Sequence, residues 1–221
     1  MAETIVPVVH GKRSRYRVAV ALHVLAAGTA AALFGAALGG VGWLLGAPWG
    51  EGGEGGAVGA VGAVGAVGAV GAGSYLIIAA LAGVYSLREL FGLPIPLFDR
   101  RRQVPDWWRT FYGPMTTALL YGAGLGIGFL TFLRHGTFVV VAGAALMFGD
   151  PVLGALLCAP FGIARGLSAL VSRRATSGED TALLVARLED IATGPAPRIA
   201  NAVALAVVAG AALATASGLG I

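Results

Sequence analysis

Inside the apolar stretches of this chain, the residues whose types offer chemistry are His23, Asp150, Pro151, Cys158, Pro160 and Arg165. An ionisable group at membrane depth is costly, so it usually marks a pathway, a proton relay or an ion pair. Asp150 directly precedes Pro151 at a break in an apolar run, where a carboxylate and unwound backbone together suit a cation. The same two residues equally suit a surface turn. Arg165, in "FGIARGLSAL", either pairs with an anionic group or snorkels to the interface. His23 lies about two helical turns inside the first apolar run, where a proton relay competes with placement near the headgroups. In "CAPFG", Pro160 would kink a helix, and kinks in spans border pathways. Cys158 is the chain's single cysteine, which excludes an intramolecular disulfide, and a lone cysteine on an apolar helix commonly packs as a small hydrophobe.

No enzymatic constellation accompanies these residues. HExxH, GxSxG, a Walker loop, a cysteine pair and a His–Asp cluster within a span are all missing from the sequence. The expectation is a non-enzyme with no cofactor, no metal site and no catalytic residue.

The elements that must position these groups are membrane helices. The chain is 57% hydrophobic and 12% charged, with 36 glycines, a balance foreign to soluble domains. Val18 to Trp49, Val58 to Leu87 and Ile199 to Ile221 contain no Asp, Glu, Lys or Arg. The first run follows the basic "HGKRSRYR" but exceeds the roughly 7 to 15 apolar residues of a signal core. Residues 1–17 are therefore expected as a cytoplasmic tail before an uncleaved anchor. Lysine occurs once, at Lys12, against arginine everywhere else, which fits a GC-rich prokaryotic genome and an inner-membrane location. The net charge of +4 sits in clusters flanking apolar runs, so it serves orientation and lipid contact. No aromatics interleave a basic groove, and nucleic acid is excluded as a partner. The expected partners are the lipid bilayer and either another membrane protein or a second copy of the chain.

An all-α bundle with about six membrane segments follows, near residues 18–45, 67–90, 113–133, 136–149, 151–171 and 199–219. Gly35 with Gly39, Gly122 with Gly126, and Gly124 with Gly128 have the small-xxx-small spacing of close helix approach. Those last four glycines do not make GxGxxG, and no strand precedes them. The Gly-Ala-Val repeat over 56–71 advances its glycines about 300° per step around a helix, defining no single face, and reads as a loop. The stretch "RELFGLPIPLFDRRRQVPDWWR" reads as an interfacial cytoplasmic loop, with Arg100 to Arg102 and the Trp107–Trp108 pair facing the headgroups. Ser177 and Asp180 resemble a capping box opening an amphipathic surface helix over about 177–192.

Region 136–171 is too long for one span of about 20 residues and too short for two with a turn. It holds either two short tilted crossings, or one crossing beside a short or re-entrant helix. The side of the 173–198 loop depends on which.

Between residues 113 and 170 the sequence resembles the transmembrane thiol-disulfide carriers of the cytochrome c biogenesis and DsbD type, relatives of six-span amino-acid exporters. "GIGFLTFL" is similar to that family's first redox helix, where a Pro-Cys pair would follow the threonine; here Phe132 and Leu133 stand instead. "CAPFG" resembles its second cysteine helix imperfectly. The resemblance implies a six-span fold without the activity, because the carrier cycle needs two cysteines that can join. The expected function is a small-solute or ion permease with Asp150, Pro151, Pro160 and Arg165 along its path. The alternatives are a non-catalytic scaffold or assembly subunit, docking through the Arg100–Trp108 loop or the amphipathic helix, and a thiol-redox-associated component using Cys158.

Overall fold

The structure is a computed structural model that describes residues 13–45, 71–97, 107–130, 135–174 and 177–218. Residues 1–12, the repeat over 56–70, Trp49 and the Arg100 to Arg102 triplet lie outside the described residues. Every regular element among the described residues is helical. Lipid offers no hydrogen bonds, so an apolar run that enters it must satisfy its backbone within itself.

The helices are α1 (Arg13–Leu44), α2 (Ala72–Phe91), α3 (Trp107–Phe111), α4 (Pro114–Gly126), α5 (Thr137–Phe148), α6 (Pro151–Leu167), α7 (Gly178–Thr193) and α8 (Pro195–Gly218). Short 3-10 turns follow α4 at Gly128–Leu130 and α6 at Ser168–Arg174. Four helices are long and apolar enough to cross a membrane: Ser14–Leu44, Ala72–Phe91, Pro151–Arg173 and Pro195–Gly218.

In the segments expected over 113–133 and 136–149 the described helices are short, as the short-helix alternative for 136–171 allows for the second. Helix α4 has 13 residues and α5 has 12, giving about 20 Å and 18 Å against a hydrocarbon core of about 30 Å. Neither described helix reaches that length. Glycine at every second position from Gly122 to Gly128 lowers helix propensity by about 1 kcal/mol each time, and the helix stops at Gly126. At the other break Gly149 takes a left-handed φ of 60° and its N–H bonds Leu146 O at 3.2 Å. A side chain there would be strained.

The chain divides into two compact units. The first comprises Met1–Ala31, Phe98–Leu133 and Ala159–Pro197. In it Tyr16, Ala19 and Val20 of α1 close on Ala118 of α4, flanked by Val24, Met115 and Ala169. Gly122 lies against the His23 carbonyl and Gly126 against the Ala27 carbonyl, so α4 runs parallel to this part of α1. Gly162 and Gly166 lie against Ala27 and Val24, so this part of α6 runs antiparallel to α1. Helix α7 opens with a reciprocal cap: the Asp180 N–H donates to Ser177 Oγ at 3.0 Å, and the Ser177 N–H to Asp180 Oδ2 at 3.1 Å.

The second unit comprises Ala32–Leu97, Arg134–Cys158 and Arg198–Ile221. Here Gly35 meets the Gly154 carbonyl of α6, Gly39 the carbonyl of its cap Asp150, and Gly42 the Leu146 carbonyl at the end of α5, again antiparallel between α1 and α6. Helix α2 lies between α5 and α8 and runs antiparallel to both. Tyr75, Ile78 and Ala79 pack with Ala144, Ala212 and Ala216; Ala82 and Tyr85 pack with Val140 and Leu205.

Candidate functional site

The densest polar group in the second unit sits at the last turn of α2. Glu89 is 4% exposed, and among the described residues it is the one buried acid. Its Oε1 accepts from Arg88 Nη1 at 2.8 Å and from the Gly136 N–H at 3.3 Å; its Oε2 meets His135 Nδ1 at 3.2 Å. A carboxylate buried this far needs such partners to offset its lost hydration.

The backbone joins in. Arg198 Nη2 donates to Glu89 O at 2.9 Å, and Arg88 Nε donates to Ile95 O at 2.9 Å. Gly92, left-handed with a φ of 66°, closes α2 by donating to Arg88 O. One turn earlier Ser86 Oγ donates to Ala202 O at 2.8 Å, and the Thr137 hydroxyl bonds the Asn201 side chain. The start of α5 is thereby tied to the Glu89 carboxylate, the start of α8 to the Glu89 carbonyl, and the extended 92–97 segment to Arg88. With three donors already on it, Glu89 is a clamp for helix ends and not a free base.

The residues singled out in the sequence have other positions. Asp150, Pro151 and Cys158 belong to the second unit; His23, Pro160 and Arg165 belong to the first. Asp150 caps α6, its Oδ1 accepting from the N–H groups of Val152 at 2.6 Å and Leu153 at 2.9 Å. Pro151 follows as the first helical residue, where a missing N–H costs nothing. Cys158 is fully buried against Gly35. Pro160 is an exposed residue within α6. Arg165 donates through Nη1 to Leu125 O at 3.2 Å and lies 5.6 Å from the Phe161 ring centroid. His23 is buried with Nδ1 3.0 Å from Ala118 O. A carbonyl only accepts, so that nitrogen carries the hydrogen.

The glycine pairs divide as well. Gly35, Gly39, Gly122 and Gly126 all sit at backbone contacts. Gly124 is half-buried, about 200° around α4 from Gly122, and Gly128 is buried in the 3-10 turn.

Sequence reading missed the Glu89 clamp. One signal was present: an acid inside the expected end of span two at residue 90, a position where a charge demands a partner.

Membrane-length helices held by glycine-to-backbone contacts and a buried ionic clamp define a helical membrane protein. Among curated proteins the chain is similar to the methylamine utilization protein MauF. The protein of Methylophilus methylotrophus is 29% identical over 170 residues, covering 77% of this chain and 53% of that protein. That of Methylobacillus flagellatus is 28% identical over 152 residues, covering 68% and 46%. That of Paracoccus versutus is 29% identical over 96 residues, covering 43% and 35%. The chain spans about half the length of the first of these relatives. No family model matches it, and no solved structure matches it.

Two expectations are overturned. The relatives carry the methylamine utilization name, which replaces the likeness to cytochrome c biogenesis and DsbD-type carriers. The permease reading falls on the same finding. The carrier likeness rested on glycine-rich helices, which many membrane bundles share for packing reasons alone.

Proposed function

We propose that this chain is a non-catalytic assembly component of the prokaryotic inner membrane that serves methylamine utilization. The observation that carries the reading is the close packing of α1 against the end of α5 and the start of α6 in the second unit. Glycines 35, 39 and 42 rest on the carbonyls of Gly154, Asp150 and Leu146, with Cys158 sealed behind Gly35. Such close contact beside Asp150 and Cys158 supports a packed scaffold. The names of the relatives supply the process.

Chain direction supports a five-crossing topology. Helices α2 and α8 are antiparallel, with Arg198 at the Glu89 end, so an even number of crossings separates them. Helix α6 makes one, and we assign the other to residues 113–149, where α4 and α5 are each too short alone. Arg88, Arg198 and the arginines at 100–102 then favour the cytoplasm at the end of α2, with the N-terminus on the same side. The 173–198 loop is cytoplasmic in this arrangement. A cysteine at exposed Glu179, in a Cys158→Ala background, is expected to react with an impermeant maleimide only after permeabilisation; labelling in intact cells would put the loop outside and refute the five-crossing count.

A thiol role is not part of the proposal. Cys158 has no cysteine in the chain to join and is 0% exposed. Removing the chain from its host is expected to abolish growth on methylamine while sparing growth on ammonium. The Cys158→Ala variant should restore that growth fully. Unimpaired growth of the deletion strain would sink the assignment, and failure of a well-folded Cys158→Ala to complement would return the thiol to the account.

A further inference from the structure

We infer that the α2/α5/α8 clamp is also a binding site for the phosphate headgroup of an anionic lipid. The two signs of charge in the clamp are sorted by depth. The Glu89 side chain is 3% exposed, whereas those of Arg88 and His135 are 22% and 26% exposed, and Arg198 is exposed. The carboxylate is held by three donors, and the two guanidinium groups, each bonded into the clamp, stay partly or fully exposed, two formal positive charges beside one negative.

Helix direction adds to that excess. Helices α5 and α8 both begin here, presenting the positive ends of their dipoles. The opposing C-terminal carbonyls of α2 at Arg88 and Glu89 are already taken by the Gly92 N–H and by Arg198. Around this head lies an apolar collar of exposed Leu87, Leu90, Phe91, Leu93, Ile199 and Val203. Because α2 ends and α8 begins here and both are of membrane length, Leu87, Ile199 and Val203 lie on the acyl-chain side of the arginines, and Leu90, Phe91 and Leu93 on the side of the helix end. Cationic pockets between membrane helices take lipid phosphates on these grounds, and arginine forks match phosphate oxygens. A lipid satisfies head and collar together; a free phosphate satisfies the head alone. The inference depends on α2 and α8 crossing a bilayer and is independent of the assembly role.

The test is thermal unfolding of the purified full chain in a neutral detergent, with phosphatidylglycerol, phosphatidylcholine or inorganic phosphate added. Phosphatidylglycerol is expected to raise Tm by several degrees more than phosphatidylcholine, as selective binding to the folded state requires. In Arg198→Gln that preference should fall by at least half, and Arg198→Lys should retain most of it. Raising salt on the unaltered protein should erode the preference, since the arginines are partly hydrated; this arm needs no variant to fold. Equal shifts with both lipids, or an undiminished preference in Arg198→Gln, would overturn the site. An equal shift with inorganic phosphate would overturn the lipid as its source.

Discussion

Gly35→Leu is expected to eliminate the folded protein from the membrane fraction. A Cβ at Gly35 would overlap the Gly154 carbonyl and lie 2.8 Å from the Cys158 Cβ. The obstacle is backbone, which cannot swing aside as a side-chain tip can. Gly154 is placed the same way against the Gly35 carbonyl, so the two helices touch through both main chains. Membrane helices associate through such close packing, there being no hydrophobic drive between them in lipid. Prising them apart forfeits dispersion contacts along the seam and Cα–H···O contacts of about 0.5 to 1 kcal/mol each. Overpacking alone costs about 1 to 3 kcal/mol, so a total at or above about 3 kcal/mol is expected against a stability of about 5 to 15. Gly83 and Gly210 have open space where a Cβ would go, and alanine at either should leave stability unchanged or raise it by up to about 1 kcal/mol. Membrane yield and thermal unfolding in detergent report the contrast. A Gly35→Leu protein with unaltered yield and Tm would refute the α1–α6 seam.

Glu89→Ala carries the second large effect. It leaves the Gly136 N–H, Arg88 and His135 facing a vacated buried space, and removing one partner of a buried pair costs about 3 to 5 kcal/mol. Arg88 and His135 each retain some access to solvent, which places the expectation near the lower figure. Glu89→Gln keeps an acceptor for the Gly136 N–H but drops the charge, for a loss of about 1 to 2 kcal/mol. The expected order of Tm is the unaltered protein, then Glu89→Gln, then Glu89→Ala. Equal values for the first and last would show that the clamp contributes nothing.

Legibility in the sequence tracked how local each determinant is. Four membrane-length helices were readable because an uncharged apolar run is a one-dimensional signal, and the Ser177–Asp180 cap was readable because its partners are three residues apart. The early end of α4 was not, whereas a short helix over 136–149 was among the alternatives. Glycines 122 to 128 support close packing and weaken the helix at once, and spacing cannot say which effect wins at Gly126. The clamp was hidden for a different reason: Glu89 meets His135 46 residues later and Arg198 109 residues later. That meeting exists only after α2 pairs antiparallel with α5 and α8. Asp150 misled in the opposite direction. An acid before proline at a break suits a cation site, yet its carboxylate is occupied by the Val152 and Leu153 N–H groups.

Under the proposal the chain serves methylamine utilization without carrying solute. Uptake of radiolabelled methylamine tests it most directly, measured in cells with and without the chain alongside their growth on methylamine. The account predicts initial uptake rates that match while growth is lost in the deletion strain. A severalfold fall in uptake, restored when the purified chain is reconstituted in liposomes, would contradict it.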